Sequence, residues 1–559
     1  MLARSAREFL SAPRLPRVAA LTIGYYEIGI AVALSLGVLV RAIQVFGADF
    51  PLNDGGLFYQ MVRDLQANHY IPPATTTYNH TGIPYAYSPL AFYVAGFADD
   101  LSPFSLLTLF RLLPLLFTCL TLVAFWRLAR TMLTSDMAVV AALAAFALIP
   151  RSFIWLVMGG GITRSLGLLF AILALEQIYR MYRRADTRTV VLASVFSAAC
   201  VLSHLQTGWF LAYSAALMWA FLGRDRVGVR ASLFVAAGVI ALTSPWWLTV
   251  VSEHGVEPFV AANSTGGTVF SNDATRTSSL LSIARAISTS EPFFPLIAAL
   301  GLLGAVLCFA SNRFLLPAWW VAIILLDVRA FATYASLPIG LLAGVAVAEG
   351  LVPLLQRPSR LIPGKEGATW LSAPGRAEAP RRGWVAHARP LFVLGCLLYY
   401  AAFAAMVKEP GLGELTSLDT LTAGEREAMQ WIAASTPEDA RFLVIPGDSW
   451  ETGKESEWFP ALTGRTSVAT VQGLEWVPDN AFGEGIEAYF AAWGCGFGNA
   501  ECLDDWANRW DRPFDYVYLP ARDGSLCCGG LEASLAGDPR YLRVYDGAGG
   551  VVFERRRFS

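Results

Sequence analysis

The stretch PLNDGGLFYQMVRDL sets one carboxylate, Asp54, directly before a Gly-Gly pair and a run with helical apolar spacing. It lies just past an apolar run from Leu21 to Phe46. A carboxylate there faces water but borders a membrane. Such a group serves as a general base toward an incoming hydroxyl or amine, or holds a divalent metal. Gly55 and Gly56 let the backbone pass close to a substrate. A helix N-cap is the competing reading, since Asp before a helix is a common start. The residues alone leave both open.

A second string, TTTYNHTGIPYAYSPLAFYVAGF, offers His80 as a titratable group and Tyr85, Tyr87 and Tyr93 as aromatics. An aromatic belt at a membrane surface explains the tyrosines without any chemistry, and the residues alone favour it. Charges at membrane depth come third. Arg111, Arg164 and Arg329 fall near the outer ends of predicted spans, where a charge is costly and often marks a ligand path. An arginine fork suits a phosphate because it bonds two oxygens at once. Arg329, isolated in LLDVRAFATY, is the favoured phosphate contact, with Asp327 as its bland partner. His204, in LSHLQTG, is a candidate substrate contact, although a packed histidine is the more common case. Glu291, in ISTSEPFF, is a candidate second acid or simply a helix start.

These residues need a frame. The chain is 55% hydrophobic and 15% charged over 559 residues, too apolar for a soluble domain of that length. Eleven spans are expected, beginning near Leu21, Leu106, Met137, Ile162, Val190, Thr207, Ala231, Phe293, Phe314, Ala330 and Pro390. The first reads as a retained helix rather than a cleaved signal, because its apolar run is too long. With residues 1–20 inside, the inside loops hold 21 Lys/Arg and the outside loops before the tail hold six. That bias follows the positive-inside rule. An odd count leaves the tail outside. Ala86 to Ala98 is short and precedes Asp99-Asp100, so it reads as interfacial or re-entrant. If it crossed, every later Arg cluster would face outward.

The membrane body is therefore expected over 21–407, with a long outer loop at 47–103 and a Pro/Gly/Arg-rich inside loop at 356–389, expected to be disordered. A second outer loop, from Ser252 to about Pro292, contains NSTGGTVFSNDATRTSS and is expected to be mobile. From Lys408 onward, 13 Lys/Arg face 25 Asp/Glu, a net of −12. That acidic segment, 408–559, reads as an extracytoplasmic α/β domain, and nothing in the chain suggests a nucleic-acid partner. A helix is expected from Thr422 to Ser435, with Thr422 and Glu425 as a capping pair. Strands are expected at Arg441–Ile445, Asp515–Leu519 and Val551–Phe553. Cys495, Cys502, Cys527 and Cys528 lack the pattern of a zinc site, and their disulfide pairing is open among three connectivities.

Together these features resemble the GT-C superfamily of polytopic glycosyltransferases, which includes protein O-mannosyltransferases, the aminoarabinose transferase of lipid A and the catalytic subunit of oligosaccharyltransferase. Three matches carry the resemblance. Asp54 follows the first span in a long outer loop. PYAYSPLAFY follows as a Tyr/Pro-rich segment. A soluble tail containing ESEWFPALTGRTSVATVQG stands on the same side. That string is loosely similar to the WWDYG region of oligosaccharyltransferases, and STSE ending at Glu291 to their Ser/Thr-x-x-Glu motif.

The resemblance implies a polytopic α-helical membrane protein in the cell membrane. It implies a sugar donor on polyprenyl phosphate, an extracytoplasmic acceptor (lipid, glycan or protein) and contact with membrane lipids. Asp54 would act as base for inverting transfer, with Glu291 and His80 beside it. Arg329, Arg164 and Arg111 would hold the donor phosphate, and Tyr85, Tyr87 and His204 the acceptor. PRSFIWLVMGGGITRS lacks the acid that oligosaccharyltransferases place there, and the tail has no WWDYG. Both departures point toward a monophosphate donor and away from N-glycosylation. No metal is assigned; if Mg2+ or Mn2+ is used, Asp54 and Glu291 would be its ligands. The rival readings are a transporter or flippase of lipid-linked sugars, expected to show internal repeats that this chain lacks, and a non-catalytic scaffold on the same fold.

Overall fold

A computed structural model describes residues 24–184, 186–265, 289–291, 295–327, 330–353, 418–522, 525–526 and 528–556. The helical body begins with α1 (Tyr25–Phe46), α2 (Gly56–Ala67), α3 (Leu90–Leu101), α4 (Leu106–Met132) and α5 (Asp136–Leu148). It continues with α6 (Gly161–Arg183), α7 (Thr187–Ser203), α8 (Leu205–Leu222), α9 (Arg226–His254) and the short α10 (Glu257–Ser264). It closes with α11 (Leu296–Ala310), α12 (Leu315–Leu326) and α13 (Phe331–Val345). Helices stand near the first ten predicted span starts; the eleventh, near Pro390, and the 356–389 loop lie outside the described residues. Among the described residues, five helices are long and apolar enough to cross a membrane, six if α5 and the turns at Pro150–Leu156 form one bent span. α7, α11 and α12 are apolar but shorter. The chain is thus a multi-pass membrane protein. At 12 residues, with Asp99 and Asp100 in its last turn, α3 is too short to span the membrane as one helix.

The break after α5 has an identifiable cause. The chain turns by 82° at Ile149-Pro150, where proline ends the helix and leaves its last carbonyls without partners. Arg41, fully buried on α1, supplies donors for them. Its guanidinium donates to Ala147 O (2.8 Å), Ser152 Oγ (3.0 Å) and its own helix at Gly37 O (2.9 Å), and it lies over the Phe153 ring at 4.7 Å. α1, α5 and the turn that carries Arg151 and Trp155 are tied at one point.

The C-terminal domain carries helices α14 (Ala423–Ser435), α15 (Lys454–Thr463), α16 (Ala481–Cys495), α17 (Ala500–Trp510) and α18 (Gly529–Gly537) around a mixed sheet. Its strands are β1 (Arg441–Val444), β2 (Thr466–Ser467), β3 (Tyr516–Arg522), β4 (Ser525–Leu526), β5 (Tyr541–Gly547) and β6 (Gly550–Arg555). The order is β2-β1-β3-β6-β5, with β4 on β3. β2, β1 and β3 run parallel, and β6 is antiparallel to β3 and β5. The expected helix and three strands are present, and Thr422 and Glu425 form the full capping box. Cys495 and Cys502 are joined in a disulfide that closes the loop between α16 and α17.

This domain sits directly on the 47–103 loop. Leu52 pairs with Thr420, Asn53 N–H donates to Asp419 O (2.7 Å), and Trp458 Nε1 donates to Asn53 O (2.8 Å). The Phe50 and Trp458 rings meet edge to face at 4.8 Å, and Arg426 pairs with Asp49. One buried core runs from the helices through this loop into β1 and α15.

Candidate active site

Asp54 does not cap the helix that follows it. Gly55 occupies that N-cap position without a side-chain bond. The carboxylate reaches across to the start of α6 instead. Oδ1 accepts from Gly160 N–H (2.9 Å) and Oδ2 meets Arg164 at 2.7 Å. A helix N-terminus with an arginine one turn on is a natural seat for an anion. The run Gly159-Gly160-Gly161 makes the approach possible. A Cβ at Gly160 would lie 2.7 Å from Asp54 Oδ2, and one at Gly159 2.2 Å from Asp54 O. This glycine run is the contribution of the outer loop that lacks an acid.

The start of α2 is capped from the other domain. Glu457, on α15, accepts from Gly55 N–H at 2.8 Å. Its backbone carbonyl accepts from Tyr78 Oη at 2.7 Å. Burial, and then the nearby Asp54 carboxylate, push the Glu457 carboxyl up to about 8, against the pull of the backbone N–H groups. The ESEWFPALTG string thus places a second acid beside Asp54, one that sequence reading did not single out.

Both acids line a cavity of about 1250 Å³ between the helical body and the C-terminal domain. Of the other predicted residues, Arg164, Tyr87 and His204 also line it. Tyr87 Oη donates to Glu475. His204 is the N-cap of α8, its Nδ1 bonded to Thr207. Arg151, unpredicted as a site residue, lines the cavity too, with its Nε donating to Ser290 Oγ at 2.7 Å.

The remaining predicted residues are held elsewhere. Glu291 accepts from Ile297 and Ala298 N–H (2.9 and 3.1 Å), which makes it the start of α11, the bland reading of that residue. Arg111 donates to Val45 O and Ala48 O at the end of α1. Tyr85 donates to Met61 O (2.8 Å) beneath α2. His80 sits on a turn against Gly464 O (3.2 Å) and is not among the lining residues. Arg329 lies outside the described residues. Asp327, its expected partner, lines the cavity and accepts from Gln206 and the Ala330 N–H, both at 3.1 Å.

A divalent ion does not fit the pair first considered for it. Asp54 is engaged by Gly160 and Arg164, and Glu291 is engaged by a different helix start. Among the described residues no group of three or more His, Cys, Asp or Glu is arranged to hold a metal.

No protein-family profile and no curated protein matches the chain. Solved structures do match in fold. The archaeal oligosaccharyltransferase AglB from Archaeoglobus fulgidus, in complex with an inhibitory peptide and a dolichol-phosphate, aligns at 14% identity and TM-score 0.54, over 88% of this chain and 69% of its own. Another structure of the A. fulgidus oligosaccharyltransferase holds zinc and sulfate. ArnT from Cupriavidus metallidurans, in the apo state, aligns at 15% identity and TM-score 0.51, over 94% of this chain and 97% of its own. The mycobacterial arabinofuranosyltransferase AftD aligns at 14% identity and TM-score 0.51, over 97% of this chain and 42% of its own. With Asp54 at the rim of a cavity roofed by the C-terminal domain, this chain has the fold of the GT-C glycosyltransferases to which these proteins belong.

Proposed function

We propose that the protein is a membrane glycosyltransferase that moves a sugar from a polyprenyl-phosphate donor to an acceptor bound against the C-terminal domain. The observation that carries this is the Asp54–Arg164 ion pair at the start of α6, facing a cavity shared by both domains. The fold of known lipid-linked sugar transferases supports the reaction type, and the dolichol-phosphate bound by AglB supports the donor class.

The pair gives each partner a task. A donor phosphate competes with Asp54 for the Arg164 fork, and Arg151 lies on the same cavity wall. Once Arg164 turns to the phosphate, the Asp54 carboxylate is released to take a proton from the acceptor hydroxyl or amine. The acceptor atom then forms a bond to the anomeric carbon from the face opposite the phosphate. The carbon–oxygen bond to the phosphate breaks, and polyprenyl phosphate leaves with the electron pair, its charge met by arginine. Single displacement of this kind inverts the anomeric centre. Arg329 keeps its proposed place as a further phosphate contact. In the cell, the N-terminus faces the cytoplasm and the C-terminal domain the outside of the plasma membrane.

The test is transfer of a labelled sugar from synthetic polyprenyl phosphates by the purified chain in nanodiscs. Asp54→Asn should lower the rate by about 10²–10⁴-fold, the usual worth of a general base. Arg164→Ala should weaken donor binding. An Asp54→Asn variant with wild-type rate would refute the assignment.

A further inference from the structure

We infer that the C-terminal domain's wall of the cavity is a subsite for a neutral carbohydrate chain, so that the acceptor is a glycan. This rests on the transferase reading above and extends it to the substrate class. The first observation is charge. The wall contributes Glu451, Glu457 and Glu475 and, among the described lining residues, no Lys or Arg. The cations, Arg151 and Arg164, come from the helical body opposite. An acceptor carrying phosphate or uronate would meet Glu451 and Glu475 there and no cation among the described lining residues of this wall. A chain of hydroxyls meets acceptors it can donate to.

The second observation is unsatisfied polarity. Trp476 is 4% exposed and its Nε1 has no hydrogen-bond partner; Gln472 Oε1, on the same wall, has none either. One is a donor and one an acceptor, and a hydroxyl is both. Buried groups of this kind ordinarily find a partner in protein, water or ligand.

The third observation is a path. Trp450 lines the cavity and meets Phe482 of α16 edge to face at 5.3 Å. From Phe482 the positions Ile486, Phe490, Trp493 and Phe497 follow at spacings of four, four, three and four, which is one helical face. Phe490 is 42% exposed and Phe497 83%. The Cys495–Cys502 disulfide holds the loop that carries Phe497. Trp450 and Trp476, which line the cavity, offer ring faces to the C–H faces of sugars while carboxyl and amide groups take the hydroxyls, and the stripe leads on from Trp450 outside the cavity. This stripe continues for the length of α16, about 22 Å, so it suits several sugar units and not one.

The experiment measures binding, so it needs no turnover. The full chain in nanodiscs is titrated with maltohexaose, cellohexaose and mannohexaose, followed by tryptophan fluorescence. A glucuronic acid oligomer and a neutral hexapeptide are the controls. At least one neutral hexasaccharide should bind, and neither control should. Trp450→Ala and Trp476→Ala should weaken binding at least tenfold, with Trp450→Phe restoring most of it. Phe490→Ser with Phe497→Ser should weaken the hexasaccharide and spare the matching disaccharide. Binding of the peptide with no saccharide bound overturns the inference, as does unchanged affinity in both tryptophan variants. Loss in neither length with the phenylalanine variants would make the stripe a membrane or protein contact and overturn the chain-length claim. Donor hydrolysis, assayed separately, reports on the transferase reading. Hydrolysis without saccharide binding sinks only the glycan subsite, and saccharide binding without hydrolysis sinks only the transferase.

Discussion

Asp54 and Glu457 stand at two helix starts that open on one cavity, in unlike surroundings. Asp54 meets a guanidinium and a single backbone N–H, whereas Glu457 is almost fully buried against backbone. Position matters for the first of them. Gly160 has φ −67° and ψ −10°, a conformation alanine adopts without strain. Only the Cβ would be new, and it would press on the Asp54 carboxylate. Gly160→Ala should therefore keep its expression and thermal midpoint but lose about 10²-fold in transfer rate, the scale expected from an ångström of misplacement. An unchanged rate would show that Asp54 is not held where it acts. For Glu457 the expected effect is on stability. Its carboxyl is raised from 4.5 to about 8 in the folded chain, so between those values the folded state holds a proton that the unfolded state has lost. Stability is then full below the unfolded value and falls as pH rises toward 8. Glu425, raised to about 7 by burial and the neighbouring Glu455, adds to the same slope. Melting followed across this window should show the midpoint dropping with pH, and Glu457→Gln should flatten the drop without removing the part due to Glu425.

Arg41 shows how an element can serve a site it does not touch. It satisfies the open end of α5 and fixes the turn that carries Arg151. Arg41→Ala would leave the Ala147 carbonyl and the Ser152 hydroxyl without that donor in an apolar interior, at roughly 1–3 kcal/mol each. A total near 3 kcal/mol is expected in detergent unfolding, with weaker donor binding in the fraction that stays folded. If transfer and stability both match wild type, the turn is held by other contacts. The helices of the body near the expected span starts, one helix of the tail and three of its strands were legible in the sequence, since apolar spacing and the Thr422 capping box are local signals. What each charged residue does was less so. Arg111 and Glu291 were singled out for their place near span ends, and both are occupied by backbone at helix termini. The Gly55–Glu457 contact joins residues 402 positions apart, and no periodicity connects them. PRSFIWLVMGGGITRS is read from sequence only as a loop without an acid; the need for its glycines comes from the Asp54 carboxylate that occupies the space.

At the scale of the whole molecule, the two domains form one working unit, because the acid that caps α2 comes from α15 and the loop that carries Asp54 is pinned by Trp458. Such a site can act only on the side of the membrane where the C-terminal domain lies. Charge gives the expected side. The 408–559 segment is strongly acidic, and basic residues concentrate at the opposite ends of the helices, as with Arg180, Arg183 and Arg184 at the end of α6 and Arg224, Arg226 and Arg230 around the start of α9. By the positive-inside rule such clusters are expected on the cytoplasmic side. Glu501 and Arg224 are exposed at the two extremes of this arrangement. In intact cells an impermeant maleimide should label Glu501→Cys fully and Arg224→Cys only after the membrane is opened. The reverse pattern would put the cavity in the cytoplasm. A sugar donor displayed on the outer leaflet would then be out of reach, and the transferase would have to draw its donor from the inner leaflet.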